Sequence, residues 1–564
     1  MTTTPKSAIA AAGTPPAETD VFISGCGPCG LMLANELGRR GIRTVLADFK
    51  DSTAYNPQAN ATQARSMEHY RRHGFADEIR AMGMPPDFPP DIAYFTRIAG
   101  YELARFEMPR AMDAKQVIRG LSGSWSAAEL PHRVSQKYVE QILLKHARKY
   151  STNKIHFRTR LASFTDRGTH VECVTESADG GPQTTTRAKY LVGADGARSS
   201  VRRALNINLS GESGVQREFM GGRMYAVYLT CEDYYAAMPH KPAWMNVTVN
   251  PDQRAFMTAV NGSNEFSYHF QLKPGQDADA FSEDEVKREV YLGWGIDLPV
   301  SILSRVPWTA GYTLVADSMR TGRVLIGGDA AHLFTPAGGM GYNTAIEDAV
   351  NLGWKLATVI RGQGGDMLLQ SYDAERRAVA IRNTGYARAL ADSLGGFAAV
   401  PELEEDTPTG AAAREAAGDY YNRHARIEFN IPGFTLGARY DGSPIIAADG
   451  TTPPPDGPNI YHPTACPGGR APHVWLDDGR SLYDTFNLEW TLLRMHPAAE
   501  TGNMEQAFAA AGMDLKIIDM PAKAVRELYE ADLALIRPDQ IVAWRGSAQP
   551  GDPAELAATI TGNG

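Results

Sequence analysis

A glycine-rich turn near the start of the chain constrains the fold more than any other feature. Residues 21–23 are apolar and predict a strand, and the sequence GCGPCG follows at residues 25–30. Residues 31–37 predict a helix with Leu33, Ala34 and Leu37 on one face, and residues 44–47 predict a second strand that ends at Asp48. This order is typical of the β-α-β unit that binds a dinucleotide.

Each glycine of this turn has a separate physical task. Gly25 permits the tight turn, Gly27 lets the backbone approach a pyrophosphate, and Gly30 lets the helix pack closely on the strand. The helix N-terminus then faces the phosphates, and Asp48 can accept a hydrogen bond from a ribose hydroxyl. The residues expected to line the dinucleotide here are Gly25, Gly27, Pro28, Cys29, Gly30, Asp48, Phe49 and Lys50.

The same turn also contains a C-x-x-C pair, Cys26 and Cys29, which is the spacing of thioredoxin-like redox proteins. Because Gly25 and Gly30 already explain the segment as a phosphate loop, we interpret the two cysteines as small residues that fill it. The chain has five cysteines in 564 residues. That is too few for a disulfide framework and indicates a reducing compartment.

Two later segments have the form of a strand that ends in an aspartate at a glycine turn. Residues 189–195 end at Asp195, and residues 322–329 end at Asp329, followed by the loop 336–343 and a helix predicted over residues 344–360. Such strands present a carboxylate at the edge of an open α/β sheet where ligands bind. No second G-x-G-x-x-G opens a helix, which disfavours a reductase with two nucleotide domains.

Together the three segments resemble the fingerprints of the single-component (group A) flavoprotein monooxygenases. The resemblance implies an α/β fold: a glutathione-reductase-type FAD-binding domain at residues 20–400 with an interleaved antiparallel substrate sheet at about 85–125 and 205–305. It also implies that Asp195 and Asp329 contact FAD. The loop expected along the flavin ring contains Pro336, Gly339, Met340, Gly341, Tyr342 and Asn343.

Residues 52–68 and 131–136 are similar to the phenol hydroxylase branch of that family, in which the residues matching Arg65 and Gln136 touch FAD. The alternatives are an arginine on a helix surface and a glutamine at a helix N-terminus. Asn60 stands where the relatives have an aspartate beside the substrate hydroxyl. An amide can orient a phenol but cannot take its proton.

The substrate side is predicted from alternating strands such as residues 265–272. The resemblance places His269 where relatives have a catalytic tyrosine, and Ser267 where they have an arginine. A histidine with a pKa near neutrality could accept the proton of a phenol, although a structural histidine within a strand is an open alternative. Tyr225 and Arg254 are weaker candidates for the pocket.

The two ends of the chain have different predicted roles. Residues 1–19 are interpreted as a flexible tail, and the Pro/Gly-rich part of residues 401–465 as a linker. Residues 466–564 resemble the thioredoxin-like C-terminal domain of phenol hydroxylase relatives, including the sequence RPDQ at 537–540. Strands are expected there at residues 473–476, 490–494, 515–518 and 534–545. Because Cys466 has no second cysteine nearby, this domain is expected to be redox-silent.

The resemblance implies an enzyme that binds FAD, uses NAD(P)H transiently and O2, and hydroxylates a small phenolic substrate through a flavin C4a-hydroperoxide. Alternatives on the same scaffold are an oxidase or dehydrogenase, or an enzyme that catalyses epoxidation or oxidative decarboxylation. A halogenase is disfavoured because its W-x-W-x-I signature is missing. The alternative from another class is a non-catalytic flavoprotein. A net charge of -9 and the lack of a basic block argue against nucleic acid or a membrane as partner. A cytoplasmic homodimer without a metal is expected.

Overall fold

The structure is a computed structural model that describes residues 14–213 and 222–564. Its strands are β1 (Glu18–Ser24), β2 (Thr44–Ala47), β3 (Ile92–Phe95), β4 (Glu102–Phe106), β5 (Asn153–His156), β6 (Thr159–Asp166), β7 (Val171–Ser177), β8 (Thr184–Gly193), β9 (Leu209–Glu212), β10 (Gly222–Thr230), β11 (Met245–Val249), β12 (Arg254–Ala259), β13 (Glu265–Gln271), β14 (Ser301–Ala310), β15 (Thr313–Ala316), β16 (Arg320–Thr321), β17 (Val324–Ile326), β18 (His332–Leu333), β19 (Trp490–Arg494), β20 (Leu515–Asp519), β21 (Leu533–Ile536) and β22 (Val542–Gly546).

The helices connect and cover these strands. They are α1 (Pro28–Arg39), α2 (Ala64–Arg72), α3 (Ala76–Arg80), α4 (Ala114–Gly120), α5 (Gln136–Ala147), α6 (Ser200–Ala204), α7 (Tyr234–Ala237), α8 (Glu283–Trp294), α9 (Met340–Ile360), α10 (Asp366–Gly395), α11 (Pro408–Phe429), α12 (Pro432–Leu436), α13 (Gly502–Ala510), α14 (Lys523–Tyr529) and α15 (Pro553–Thr561). Across residues 14–213 and 222–564, none of them has the length and apolar character needed to cross a membrane.

The first sheet contains the predicted β-α-β unit, formed by β1, α1 and β2. Five of its strands run parallel in the order β17-β8-β1-β2-β5. Residues 19–24 of β1 are buried, so the strand is covered on both faces, which fits the apolar run at residues 21–23. It begins at Glu18, so the expected flexible tail is wrong for its last two residues; residues 1–13 of that tail lie outside the described residues.

A seven-stranded sheet within the described residues has the order β14-β10-β13-β12-β11-β3-β4. Its strands come from the two segments expected to form the substrate sheet, and all neighbours are antiparallel except β11 and β3. One face packs on α8 through Val286, Val290 and Trp294. The other face packs on α11. Strand β9 lies within the segment expected to form this sheet, but that expectation is wrong for β9, which pairs with β15 in a small separate sheet.

The expected linker at 401–465 is wrong for its first half, which contains helix α11. Ala417, Tyr421 and Ala425 recur every four residues and lie buried against the seven-stranded sheet, where Tyr421 stacks on Tyr94 with ring centroids 4.6 Å apart. This spacing forms an apolar stripe on one helix face. The Pro/Gly-rich composition used to predict a linker begins only after this helix.

The C-terminal sheet has the order β20-β19-β21-β22, with β19 and β20 parallel and the other pairs antiparallel. The strand expected at residues 473–476 is absent; one isolated bridge joins Trp475 to Ser481. The strand expected at 534–545 is two strands, because the chain turns at Arg537–Gln540. Gln540 adopts a φ of 65°, which no extended strand tolerates.

Candidate active site

The three glycine and aspartate segments meet at one edge of the first sheet. They follow β1, β8 and β17, which are neighbours and parallel, so their carboxyl ends lie side by side. The backbone N–H of Ala194 donates to the carbonyl of Ser24 over 2.8 Å, and that of Gly327 donates to Gly193 over 3.0 Å. Segments separated by more than 300 positions in the sequence numbering therefore form a continuous edge.

The glycine turn has a closed side and an open side. A Cβ atom on Gly25 would lie 2.2 Å from the carbonyl oxygen of Ala194, and one on Gly30 would lie 2.0 Å from the carbonyl oxygen of Gly25. A Cβ on Gly27 would meet no protein atom within 4 Å. The turn is thus packed where strand and helix touch and open in front of the α1 N-terminus, which fits a pyrophosphate.

Asp48 is buried and holds this turn in shape. Its carboxylate accepts hydrogen bonds from the backbone N–H groups of Cys26 (2.7 Å) and Lys50 (3.0 Å). Phe49 and Lys50 themselves are exposed. The predicted contact of Asp48 with a ribose stays a prediction.

The cysteine pair is buried inside the nucleotide unit. Burial raises the pKa of both the Cys26 and the Cys29 thiol well above the ordinary value. Cys29 packs on the third segment, its Cβ 3.1 Å from the place a Cβ would take on Gly328. Because thiolates are the reactive form of cysteine, this environment favours packing over redox chemistry.

The two strand-end aspartates are in different environments. Asp195 caps α6: its carboxylate accepts hydrogen bonds from Ser199 Oγ (2.5 Å), from the Ser200 backbone N–H (2.8 Å) and from the Ser200 hydroxyl (2.9 Å). Asp329 has no hydrogen-bond partner among the described residues. Solvent reaches its side chain, yet enough protein surrounds it for burial to raise the pKa of its carboxyl. Both observations fit a carboxylate that lines a narrow cleft, where it is free to bind hydroxyl groups.

The turn that carries Asp329 is fixed from behind by Asp348 on α9. Asp348 accepts hydrogen bonds from the Gly328 backbone N–H (3.0 Å), His332 Nε2 (2.7 Å) and Arg376 Nε (2.8 Å). Burial opposes ionisation of Asp348, but His332 and Arg376 lower the pKa of its carboxyl to about 2. No role was assigned to Asp348, His332 or Arg376 from the sequence. For Asp348 alone a signal was available, the two adjacent acids at 347–348 inside a largely apolar helix.

The loop expected along the flavin is tied to the segment before α2. Asn343 Oδ1 accepts from the Gln63 backbone N–H (2.8 Å), and Asn343 Nδ2 donates to the carbonyls of Ala61 (2.9 Å) and Gly339 (2.6 Å). Gly338 and Gly339 have φ values of 72° and 64°, a region that favours glycine. The loop can therefore place backbone atoms, more than side chains, along a flat ligand.

Helix α9 starts at Met340, four residues before its predicted start, so part of the expected loop is its first turn. The side chains of Met340 and Tyr342 are buried in the protein core, and the Tyr342 hydroxyl contacts that of Tyr70. Gly341 packs near Phe334. Pro336 precedes a short 3-10 turn. Their predicted contacts with a cofactor stay predictions. For Met340 and Tyr342, whose side chains are buried in the core, the predicted contacts are made by backbone atoms.

Arg65 is not on a helix surface, as one alternative had it, but is buried. Its guanidinium donates to Glu68 (2.9 Å), to Gln540 Oε1 (2.7 Å) and to the carbonyl of Asp539 (2.7 Å), and so joins the first unit to the C-terminal one. Gln136 begins α5, and its side chain donates to Glu140 (2.7 Å). That Arg65 and Gln136 touch FAD stays a prediction.

The seven-stranded sheet separates two of the predicted catalytic residues. On β10 and β13, Ala226 pairs with His269 and Tyr225 pairs with Phe270, so Tyr225 and His269 lie on opposite faces. The face of His269 adjoins residues 55–61, since Ser304 on that face donates to Asn56 over 2.6 Å. Tyr225 packs instead in the cluster under α8. The prediction that Tyr225 belongs to the same pocket is wrong, because side chains alternate along a strand.

His269 is buried and stacks on Phe256, with ring centroids 4.5 Å apart, beside the edge of Trp308 at 5.8 Å. Its Nε2 shares a hydrogen bond of 2.9 Å with Ser267 Oγ, and its Nδ1 has no partner among the described residues. Burial lowers the pKa of His269 to about 4. The expected pKa near neutrality is therefore wrong, because burial lowers the pKa and no carboxylate among the described residues offsets the loss of hydration.

Asn60 lies in the segment that joins the substrate sheet to the flavin loop. Its Oδ1 is buried and has no hydrogen-bond partner among the described residues. Backbone bonds of 2.8 Å in both directions pair Thr62 with His132, which holds this segment beside residues 131–136. Arg254 donates to the carbonyl of Phe397 over 2.6 Å at the far end of the sheet. Asn60 therefore keeps an unused acceptor beside the substrate sheet.

The sequence matches the family described as FAD binding domain over residues 18–386 and that described as aromatic-ring hydroxylase, C-terminal, over residues 464–562. It is 31% identical to phenol 2-monooxygenase of Pseudomonas sp. (strain EST1001), covering 95% of this chain and 91% of that protein. The rebeccamycin biosynthetic enzyme RebC with reduced flavin aligns at a TM-score of 0.87 and 30% identity over 98% of this chain and all of that one. A ternary complex of aklavinone-11 hydroxylase with FAD and aklavinone aligns at 0.81 and 26% identity over 97% and 100%.

The chain belongs to the family of FAD-dependent aromatic-ring hydroxylases. It is a flavin-dependent monooxygenase that acts on aromatic compounds with FAD and O2. The open glycine turn, and Asp329 with no hydrogen-bond partner in the part of the chain that the structure describes, fit the cofactor of this family.

Proposed function

We propose that this enzyme hydroxylates a phenolic ring with electrons from NAD(P)H, which binds only transiently. One observation carries the proposal: the open edge formed by the three nucleotide segments is linked, through residues 55–63, to the sheet face that bears His269. When bound, FAD accepts hydride from the nicotinamide and activates O2. All other tasks fall to the protein's own side chains and backbone.

In this proposal the cofactor is held at three places. The α1 N-terminus and the space over Gly27 receive the pyrophosphate, and Asp48 accepts from the adenosine ribose. Asp329 accepts hydrogen bonds from ribityl hydroxyls. This assignment is supported because its carboxylate has no protein partner among the described residues. The first turn of α9 stabilises negative charge on the reduced ring. Asp195, already bonded to Ser199 and Ser200, then acts on the cofactor by shaping the turn.

Asn60 and His269 are proposed to orient the phenol oxygen as neutral groups. Asn60 Oδ1 and His269 Nδ1 both lack a partner among the described residues. With its pKa lowered to about 4, His269 is an uncharged hydrogen-bonding group at neutral pH. The stack of Phe256, the edge of Trp308 and helix α11 keep water from this face.

We further propose that residues 466–564 form a thioredoxin-type fold without redox activity. Support comes from the strand order β20-β19-β21-β22 with a single parallel pair, and from Cys466, which is buried next to Arg439 and Thr451. The expected homodimer stays a prediction.

The test uses the purified holoenzyme. We expect a yellow protein whose NAD(P)H oxidation rises when phenols are added, with one atom of 18O2 in the product. His269→Ala should retain FAD and lower hydroxylation relative to NAD(P)H use, whereas His462→Ala, at an exposed histidine, should behave as the native enzyme. A colourless protein, or hydrogen peroxide as the sole oxygen product with every phenol, would overturn the proposal.

A further inference from the structure

Arg133 is a buried cation that has no ion-pair partner within residues 14–213 and 222–564. The residue is 4% exposed, and the one hydrogen bond found for its side chain within these ranges goes from Nη2 to Met108 Sδ at 3.5 Å. Among the residues that the structure describes, no carboxylate oxygen lies within the 4.0 Å that defines an ion pair with it. A thioether is a weak acceptor, so most of the five N–H donors of this side chain are unused.

Aromatic rings hold the Arg133 guanidinium in place. It lies 4.5 Å from the centroid of Trp244 and 5.8 Å from that of Phe429. The acid with the largest influence on it, Glu428, is committed elsewhere: it accepts from the Gly338 backbone N–H (3.1 Å) and from His424 (2.7 Å). Burial lowers the pKa of Arg133 to about 10, so the side chain is still charged at neutral pH.

The position of Arg133 connects it with the candidate active site. The preceding residue, His132, pairs with Thr62 through two backbone hydrogen bonds. Ala61, the residue before Thr62, has its Cβ 3.1 Å from the position that a Cβ on Gly339 of the flavin loop would take. Trp244 precedes β11 on the substrate sheet. The unpaired Nε and Nη1 atoms of Arg133 are not sealed from solvent. Part of the guanidinium is thus accessible to solvent, in a segment that contacts the residues next to the flavin loop and to the substrate sheet.

We propose that Arg133 binds an oxyanion, a carboxylate or a phenolate, on the aromatic substrate. This inference rests on the proposed function and narrows its substrate class to anionic aromatic compounds. The planar guanidinium offers two parallel N–H bonds to a carboxylate, and the rings of Trp244 and Phe429 fix the orientation of that fork. Since Asn60 and the neutral His269 bring no charge, Arg133 provides the positive charge that an ionised substrate needs.

A purely structural role explains the arrangement less well. Cation-π contacts offset only part of the cost of burying a charge, and replacing a poorly paired buried ion by an apolar residue is often neutral or stabilising. A residue that is retained for ligand binding should therefore be dispensable for stability. This difference makes the two roles separable by experiment.

The experiment compares the native holoenzyme with Arg133→Met, Arg133→Lys and the control Arg110→Met, a half-exposed arginine paired with Asp113. Dissociation constants are measured from changes in the flavin spectrum. The probes are hydroxybenzoates and hydroxynaphthoates with their carboxamides for the carboxylate arm. For the phenolate arm, 4-nitrophenol is titrated above and below its own pKa. Thermal unfolding of each protein is recorded without ligand.

We expect the native enzyme and Arg110→Met to bind the anionic member of a pair at least about tenfold more tightly, in line with charge-assisted hydrogen bonds. Arg133→Met should lose this preference with an unchanged or higher Tm, and Arg133→Lys should keep part of it. The carboxamide pairs or the pH titration then identify which oxyanion is bound. A native enzyme without any anion preference, a preference that survives in Arg133→Met, or a lower Tm with unchanged affinities would overturn the inference. If the anion preference depends on Arg133 but no phenol is hydroxylated, only the proposed function fails.

Discussion

Asp348 accepts the backbone N–H of Gly328 over 3.0 Å, so one carboxylate on α9 fixes the turn that presents Asp329. The same carboxylate accepts a hydrogen bond of 2.8 Å from Arg376 Nε, and the two side chains form a fully buried ion pair. Cofactor binding and the stability of the nucleotide unit therefore depend on a shared group.

Asp348→Asn should reduce FAD retention and lower the free energy of unfolding by roughly 3 to 5 kcal/mol, because it leaves the buried Arg376 without its closest charge partner. Urea unfolding and the flavin content of the purified protein measure both effects. Asp366→Asn, which replaces an exposed carboxylate paired with the partly buried Arg320, should cost about 1 kcal/mol or less. Equal losses in the two variants would argue against the special role of Asp348.

Gly27→Ala and Gly30→Ala should separate binding from folding. The added methyl of Gly27→Ala meets no protein atom, so the apoprotein should lose no more than about 1 kcal/mol, while FAD affinity falls at least tenfold because the methyl occupies the pyrophosphate space. In Gly30→Ala the methyl lies 2.0 Å from the Gly25 carbonyl oxygen, so the protein itself should be destabilised. Apoprotein unfolding and FAD titration measure the two effects; unchanged FAD affinity in Gly27→Ala would contradict this assignment of the open space.

Arg537 ties the C-terminal unit to the nucleotide unit. Its guanidinium donates to Glu375 on α10 (2.7 and 2.9 Å) and to Asp539 (3.0 and 2.7 Å), all buried. Arg537→Met should cost roughly 3 to 5 kcal/mol in calorimetric or urea unfolding, since two carboxylates lose a buried partner. Arg494→Met, which breaks an exposed pair with Asp519, should cost about 1 kcal/mol or less. A small cost for Arg537→Met would mean that the two units are held together chiefly by apolar contacts.

His269 should make the protein less stable in mild acid. Its folded pKa of about 4 lies below the ordinary value of 6.5, so the folded state disfavours protonation. The contribution is complete above pH 6.5 and is lost as the pH falls from 6.5 toward 4. His269→Gln should therefore reduce the stability difference between pH 7 and pH 5 by about 1 to 2 kcal/mol. Urea unfolding at both pH values checks this, with His462→Gln as the exposed control; an identical pH dependence in native and His269→Gln proteins would mean that His269 is hydrated in solution.

The sequence predicted the nucleotide unit with good accuracy, because its elements are local patterns. The strand and helix around Gly25 to Asp48 are where the periodicity places them, and the strands ending at Asp195 and Asp329 are present. The failures have equally local causes. Helix α11 was missed because its apolar stripe lies next to a Pro/Gly-rich segment, and the strand at 534–545 was predicted as one because the turn at Gln540 has no glycine.

The candidate pocket was less predictable, since alternation along a strand does not say which face meets the cofactor. Both Tyr225 and His269 were sequence candidates for the pocket, Tyr225 the weaker one, and the pairing of β10 with β13 decides that they lie on opposite faces of the sheet. Arg133 lies within the segment 131–136, but nothing in the sequence assigned it a role of its own. That role is inferred because no carboxylate partner is found for it among the described residues, which is a property of the folded chain.

The amino-acid sequence by itself determined the dinucleotide turn, the order of the three binding segments and the family, because each depends on short-range steric demands of glycine, proline and strand-end aspartates. Only the tertiary structure decided that Asp195 accepts hydrogen bonds from the start of α6, that Asp329 has no hydrogen-bond partner among the described residues, and that burial lowers the pKa of His269. Those outcomes depend on burial and on partners supplied by distant elements, and neither quantity can be read from a residue's neighbours along the chain.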